Sequence, residues 1–220
     1  NTLSPIPDRL YEEIKLSHFQ SLGRKLQIHT SEGVPDLDEI DIAIIGILEY
    51  RNSQYHIEQN LNLNEIRKSL YSLFPGNWSS QIADLGDIIL GESVEDTYFA
   101  VTDVINFFLK KNITIVIIGG SQDLTYANYR GYDNLKPMIN IVNIDKSFDL
   151  GDSSKPISST SYVGKVILNK PYNLFNYTAL GFQTYFNPQE EIDLMEKLYF
   201  EYYRLGEINN DIKSVELSLI

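Results

Sequence analysis

The stretch from residue 113 to 149 constrains the fold more than any other, because it holds two apolar runs that each break abruptly into a short polar loop. Ile113 to Ile118 reads ITIVII and stops at Gly119-Gly120, and Met138 to Ile144 reads MINIVNI and stops at Asp145. Runs of this length and β-branched content suit strands covered on both faces, as in parallel sheets between helical layers. Asp123 to Asn134 leaves room for a helix, so the expected unit is strand, helix, strand, with parallel strands and a right-handed crossover. The loops GGSQD and DKSFD then fall at the carboxyl ends of their strands, where open α/β sheets place ligand sites.

The flanking sequence supplies the remaining elements. Residues 8 to 22 carry Leu10, Ile14 and His18 or Leu22 on one side of a helix, with Gly23 as its terminator. The run IDIAIIGIL (40–48) is a buried strand that delivers the loop EYRNSQYHIEQN to the same end of the sheet as the two polar loops. In the next helix Leu63, Ile66, Leu70 and Leu73 or Phe74 recur at three and four, and FPG ends it; Trp78 follows as a packing cap. A short strand spans 81–85. Ser93 with Asp96 three residues on marks a helix start, and Val94, Tyr98, Val101, Ile105 and Phe108 form its apolar stripe. The serine-rich segment 152–161 is a loop, YVGKVIL a short helix, and 177–182 a further strand. Asn187-Pro188 with Glu190 starts a last helix, with Ile192, Met195, Tyr199 and Tyr202 on one face.

Composition bounds what such a chain does. With 220 residues and 43% hydrophobic content it can bury a sizeable core, and one α/β domain over 1–220 is the expectation. Eighteen basic against thirty acidic residues leave a net charge of −12, which argues against nucleic acid or an anionic membrane surface as partner. No apolar run approaches the roughly 20 residues of a membrane span, and the start NTLSPIPDR has no signal-peptide character, so a cytoplasmic setting is expected. The absence of cysteine removes disulfides, thiolate metal sites and thiol nucleophiles.

The two loops carry a family resemblance. GGSQDLTYA followed by NIVNIDKSFDLG is similar to the ureohydrolase superfamily of arginases, agmatinases and formimidoylglutamases. Its motifs read Gly-Gly-Asp-His-Ser-Leu-Thr and, further on, Ile-Asp-Ala-His-x-Asp. DIAIIGI (41–47), IRKSLYSLF (66–74), DLGDI (84–88) and DTYFAV (96–101) fall where that family has its first strand, first helix and approach to the first motif, so the likeness covers about 40–205. The resemblance implies a three-layer arginase-like α/β fold with a mainly parallel sheet flanked by helices. It also implies self-association, since family members form trimers or hexamers, and motif loops at the ends of adjacent parallel strands. A third family motif, Ser-x-Asp-x-Asp, does not occur before Ile220; a missing C-terminal part is therefore expected.

The departures bear on chemistry. In the family the first motif gives a histidine to one of two manganese ions, and the second gives a bridging aspartate, a histidine and a further aspartate. Carried over, the first histidine is Gln122 and the residue before it Ser121. In the second motif Asp145 and Asp149 remain, while Lys146 stands for the alanine and Ser147 for the histidine. Two of the six protein ligands persist. A glutamine carbonyl and a serine hydroxyl are weak substitutes for imidazole on Mn²⁺. The family's hydrolysis depends on metal lowering the pKa of bound water from about 15.7 to about 7.

Three readings follow. In the first, the chain is an arginase-family or formimidoylglutamase-like pseudoenzyme with no cofactor, keeping the fold for binding, assembly or regulation, with a small-molecule ligand possible in the crevice. In the second it is a divergent C–N hydrolase of guanidino or formimino compounds. Its rearranged Mn²⁺ or Mg²⁺ site would draw on Asp145, Asp149, Asp123, Gln122 and His56, the one histidine expected to reach the crevice. The plainer role for Asp123 is capping the helix that starts there, and for His56 a loop residue in solvent. Arg51 in the same loop is a surface arginine, or a partner for Asp145 or for a carboxylate ligand. The third reading, a serine hydrolase on Ser121, fails because Asp123 replaces the small residue a nucleophile elbow needs and all three histidines precede Ser121.

Overall fold

β-Branched runs in the first half of the chain assemble one mainly parallel sheet. The structure, a computed structural model, describes residues 2–55, 62–135, 138–213 and 215. Contacts divide it into two units, Asn1–Tyr132 and Asp133–Ile220. In the first unit the strands are β1 (Leu3–Ser4), β2 (Gln27–Ile28), β3 (Ile42–Gly46), β4 (Ile82–Ile88) and β5 (Thr114–Ile118). Their order is β1-β4-β3-β5, with β2 also on β4; only the β1–β4 pair is antiparallel. Ala43 pairs with both Ala83 and Ile115, which places the central strand β3 in register with its neighbours. Ala43, Ile45, Ala83 and Leu85 are buried at this centre.

Helices α1 (Asp8–Leu16), α2 (Asn64–Ser72), α3 (Val94–Lys110) and α4 (Leu124–Arg130) belong to the same unit. The capping box forms as the sequence predicts: the Ser93 hydroxyl accepts the Asp96 N–H at 3.1 Å while the Asp96 carboxylate accepts the Ser93 N–H at 2.9 Å. Tyr98, Val101, Ile105 and Phe108 are buried along that helix. Helix α1 ends at Leu16, short of residue 22, because Ser17 turns extended and its hydroxyl donates to the Ile14 carbonyl at 2.6 Å. Leu22 is instead buried in the 3₁₀ turn Leu22–Arg24.

The apolar stripe read for α2 holds only in part: Leu63 is buried and Leu70 packs against the core, but the other members turn outward. Ile66 and Leu73 are exposed, whereas Arg67 and Tyr71 are buried. The reason lies in β4, where the fully buried Asp84 gives both an anchor: Arg67 Nε and Nη2 donate to its carboxylate at 2.9 and 3.2 Å, and the Tyr71 hydroxyl donates at 2.6 Å. Hydrogen bonding and charge pairing outweigh the periodicity of the leucines here. Trp78, expected as a packing cap, is 54% exposed.

The second unit is built on three parallel strands, β6 (Ile139–Ile144), β7 (Leu174–Phe182) and β8 (Glu201–Arg204), in the order β6-β7-β8. Helix α5 (Tyr162–Leu168) matches YVGKVIL and leads into β7; α6 (Gln189–Lys197) leads from β7 to β8, and α7 (Leu205–Asn210) follows. Two expectations for α6 fail. Tyr199 takes a left-handed φ of 56° beyond the helix end and Tyr202 lies in β8, so neither continues the Ile192–Met195 face. Pro188 occupies the N-cap, and the Asn187 side chain is drawn elsewhere.

β5 pairs with β3 in the first unit, and β6 pairs with β7 in the second. Hydrophobic periodicity marks a strand without encoding its partner. No described helix is long and apolar enough to cross a membrane.

Candidate functional site

The first loop leaves β5 through Gly119 and Gly120, both left-handed at φ 86° and 80°. A Cβ on Gly120 would stand 2.0 Å from Leu124 Cδ1, so the pair serves both the turn and the close packing of the next helix. The turn brings the Ser121 N–H onto the Glu49 carbonyl at 2.9 Å and buries Ser121 and Asp123, leaving Gln122 exposed. Asp123 makes no side-chain cap to α4. Its carboxylate accepts instead from the Ser121 and Tyr98 hydroxyls, and Asn52 Nδ2 donates to the Tyr98 oxygen at 2.9 Å. Burial, with Asp123 beside it, pushes the Tyr98 phenol up, so it remains a donor.

Sequence reasoning missed Glu49. This fully buried carboxylate faces Arg51, whose Nε lies 3.0 and 3.1 Å from its two oxygens and whose Nη2 lies 2.5 Å from one of them. The same guanidinium donates to the carbonyls of Gly91, Glu92 and Ser93 at 3.1, 2.7 and 3.2 Å. Burial raises the Glu49 carboxyl, but the Arg51 hydrogen bonds more than offset it and hold it below its usual value. Arg51 therefore ties the end of β3 to the start of α3. The signal in the sequence was a charge pair two residues apart directly after an apolar run, which periodicity does not weigh.

The second loop closes on itself. The Asp145 carboxylate accepts the N–H of Lys146 and Ser147 at 2.5 and 3.3 Å, and the Ser147 hydroxyl donates to Asp149 Oδ1 at 2.9 Å. Asp149 has φ 53°, is 3% exposed, and its Oδ2 is buried without a hydrogen-bond partner among the described residues. Burial, reinforced by Asp145 and Glu191, pushes its carboxyl up to about 7 against the pull of Ser147. Lys146 Nζ sits 4.4 Å over the Phe186 ring. Asn187 is the second missed residue: it accepts the Phe148 N–H at 2.8 Å and donates to the carbonyls of Lys146 and Gln183, each at 2.9 Å. Phe148, fully buried, packs on Phe182 and Tyr202 at 4.9 and 5.7 Å between ring centres.

Of the histidines, His56 lies outside the described residues. His18 is exposed, stacked on Phe19 at 4.8 Å and edge-on to Phe74 at 5.4 Å. His29 is buried, with Nδ1 2.9 Å from the Leu85 carbonyl. Neither is a base for Ser121, whose hydroxyl is held by Asp123.

A family model for the arginase family matches residues 40–216. This chain belongs to the arginase family. Arginase-family relatives include a formimidoylglutamase of Macrococcus caseolyticus (strain JCSC5402), 28% identical over 92% of this chain and 65% of that protein. Another, from Lysinibacillus sphaericus (strain C3-41), is 27% identical over 75% of this chain and 53% of its own length. The chain thus spans between about half and two thirds of these relatives. The formimidoylglutamase of Bacillus subtilis superposes with a TM-score of 0.71 at 15% identity, covering 80% of this chain and 58% of that one. The Trypanosoma cruzi formiminoglutamase, solved with Mn²⁺, gives 0.72 at 16% identity, over 86% and 66%. These likenesses establish the arginase fold.

The manganese pair implied by the family does not find a donor set among the described residues. Among the described residues no group of three or more His, Cys, Asp or Glu side chains could hold a metal ion. Gln122 is exposed, and the Ser147 hydroxyl is turned onto Asp149 as a donor.

Proposed function

We propose that this arginase-family chain has left the hydrolytic dimetal chemistry and keeps the fold for binding, assembly or regulation. The observation that supports the reading is the Ser147–Asp149 hydrogen bond at 2.9 Å. Where the family motif has an imidazole beside its carboxylate, this loop has a hydroxyl that spends its proton on that carboxylate, and a neutral hydroxyl is a poor ligand for Mn²⁺. Self-association and a cytoplasmic setting belong to the same proposal. The test is a calorimetric Mn²⁺ titration beside an assay for formamide release from formiminoglutamate, with Asp145→Ala in parallel. The expected result is neither micromolar binding nor turnover; micromolar binding and turnover that both vanish in Asp145→Ala refute it.

A second reading, a divergent metal-dependent hydrolase of a formimino or guanidino C–N bond, is favoured by one observation. Asp149 Oδ2 is a buried oxygen with no hydrogen-bond partner among the described residues, as a cation ligand would be before its ion arrives. The names of the curated relatives point the same way. The same titration separates the two readings.

A further inference from the structure

The first unit holds a cavity of about 690 Å³ that shares no residue with the motif loops. Its size falls within the range of small-molecule sites, about 300–1,000 Å³. Leu85, Val104 and Phe108 are buried and form its floor, whereas Val34 and Phe107 are half-exposed at its mouth. Thr2, Thr30 and Ser31 also line it, Thr30 accepting the Glu32 N–H and Ser31 donating to Asp8, and two further polar groups, His29 and Asp103, define a ligand.

His29 is the first. It is 6% exposed, its backbone N–H and carbonyl are bonded to Asp84 and Ile6, and Nδ1 lies 2.9 Å from the Leu85 carbonyl. A carbonyl only accepts, so Nδ1 carries the hydrogen and Nε2 of the neutral ring carries a lone pair. Nε2 meets no partner among the described residues, and it is the one polar atom His29 has left to offer the cavity. An acceptor that opens onto the cavity can be met by a ligand N–H or O–H.

Asp103 is the second. It is the only formally charged residue lining the cavity, is exposed, and makes no ion pair with any described residue. Lys111 Nζ, 5.8 Å over the Phe107 ring, is paired with Asp38 at 3.5 Å. The Asp103 carboxylate disfavours an anion at this wall and favours a cation beside it. Phe107 and Phe108 supply aromatic area on which a flat ring and its ammonium pack.

We propose that this cavity binds a small aromatic ammonium compound, with a ring N–H or O–H donating to His29 Nε2 and the ammonium beside Asp103. The probe is tryptamine, which carries both groups. Two analogues isolate them: indole-3-acetate reverses the charge, and 1-methyltryptamine removes the ring donor. Binding is followed by NMR shift mapping on the 220-residue chain. The expected affinity for a ligand of this size is on the order of 1 mM. Indole-3-acetate should bind at least about tenfold more weakly and 1-methyltryptamine about fivefold more weakly, with shifts centred on Thr30, Val34 and Val104. Asp103 and Val34 are exposed, so Asp103→Asn and Val34→Trp leave folding intact. The first should abolish the preference for amine over acid, and the second should block binding. No shifts up to about 10 mM tryptamine, equal binding of all three compounds, or shifts elsewhere that survive Val34→Trp overturn the proposal.

Discussion

Replacing Arg67 by methionine tests whether the buried charge cluster, rather than the leucines of α2, holds that helix to the sheet. Arg67 and Asp84 are both fully buried, and the guanidinium also reaches Asp87 at 2.7 Å and the Gly86 carbonyl at 3.0 Å. Burial works against the guanidinium charge, but the two carboxylates more than offset it and hold its pKa above the ordinary value. Methionine keeps the apolar stem and removes every one of these bonds, leaving the Asp84 carboxylate with the Tyr71 hydroxyl and the Gly86 N–H. Stripping one partner from such a pair costs about 3–5 kcal/mol, a large share of the roughly 5–15 kcal/mol that holds a domain folded. In urea, with a slope of about 2 kcal/mol per M, the midpoint should fall by about 1.5–2.5 M. Trp78 fluorescence reports on this unit, with circular dichroism as a second probe. Adding Asp84→Asn removes the stranded charge while its amide still serves both neighbours, because the Tyr71 hydroxyl can turn to accept. The double variant should recover at least about 1 kcal/mol over Arg67→Met alone. A midpoint loss under about 0.5 M, or a double variant weaker than the single, refutes this account of the helix.

Other perturbations probe the loops. Asn187→Ala removes one accepted and two donated hydrogen bonds and should cost about 2–3 kcal/mol; amide exchange at Phe148 should accelerate at least about tenfold, and unchanged protection there counts against the tie. Asp149 has a folded pKa of about 7 against 3.8 unfolded, so the folded state holds its proton more tightly. Its contribution is full below pH about 4 and is lost as pH rises through about 7. In chelator-treated buffer Asp149→Asn should flatten that decline and gain about 1–2 kcal/mol at pH 8, since Asn also tolerates the left-handed backbone; an unchanged slope speaks against it. Gly46→Ala places a Cβ 1.9 Å from Asp87 Oδ1 and 2.5 Å from Leu63 Cδ1, and should lower stability by at least about 2 kcal/mol in the same urea titration.

Much of the architecture was legible because short-range physics writes it directly. The cap at Ser93, the stripe of α3, the helix at Tyr162–Leu168 and the glycine turn after β5 depend on neighbours within a few residues, and each formed as read. Features resting on distant residues were read wrongly. In the Leu63–Phe74 period Leu63 and Leu70 pack inward as read, but Ile66 and Leu73 face out because Asp84, on another strand, turns Arg67 and Tyr71 inward. Asn187 reads as a cap until the loop at 145–149 offers its side chain a buried N–H and two carbonyls. At the motif loops the residue types Gln122, Asp145, Ser147 and Asp149 were visible from the start, but not the hydrogen bonds each would make.

By itself the sequence determined the α/β class and the family, since these are properties of residue type and local spacing. The tertiary structure decided strand partnership, the buried face of α2, and the partners of Glu49, Asp123 and Asp149. Hydrogen bonds and charges in a dry interior are strong and directional, and they select partners dozens of residues away that no local pattern encodes.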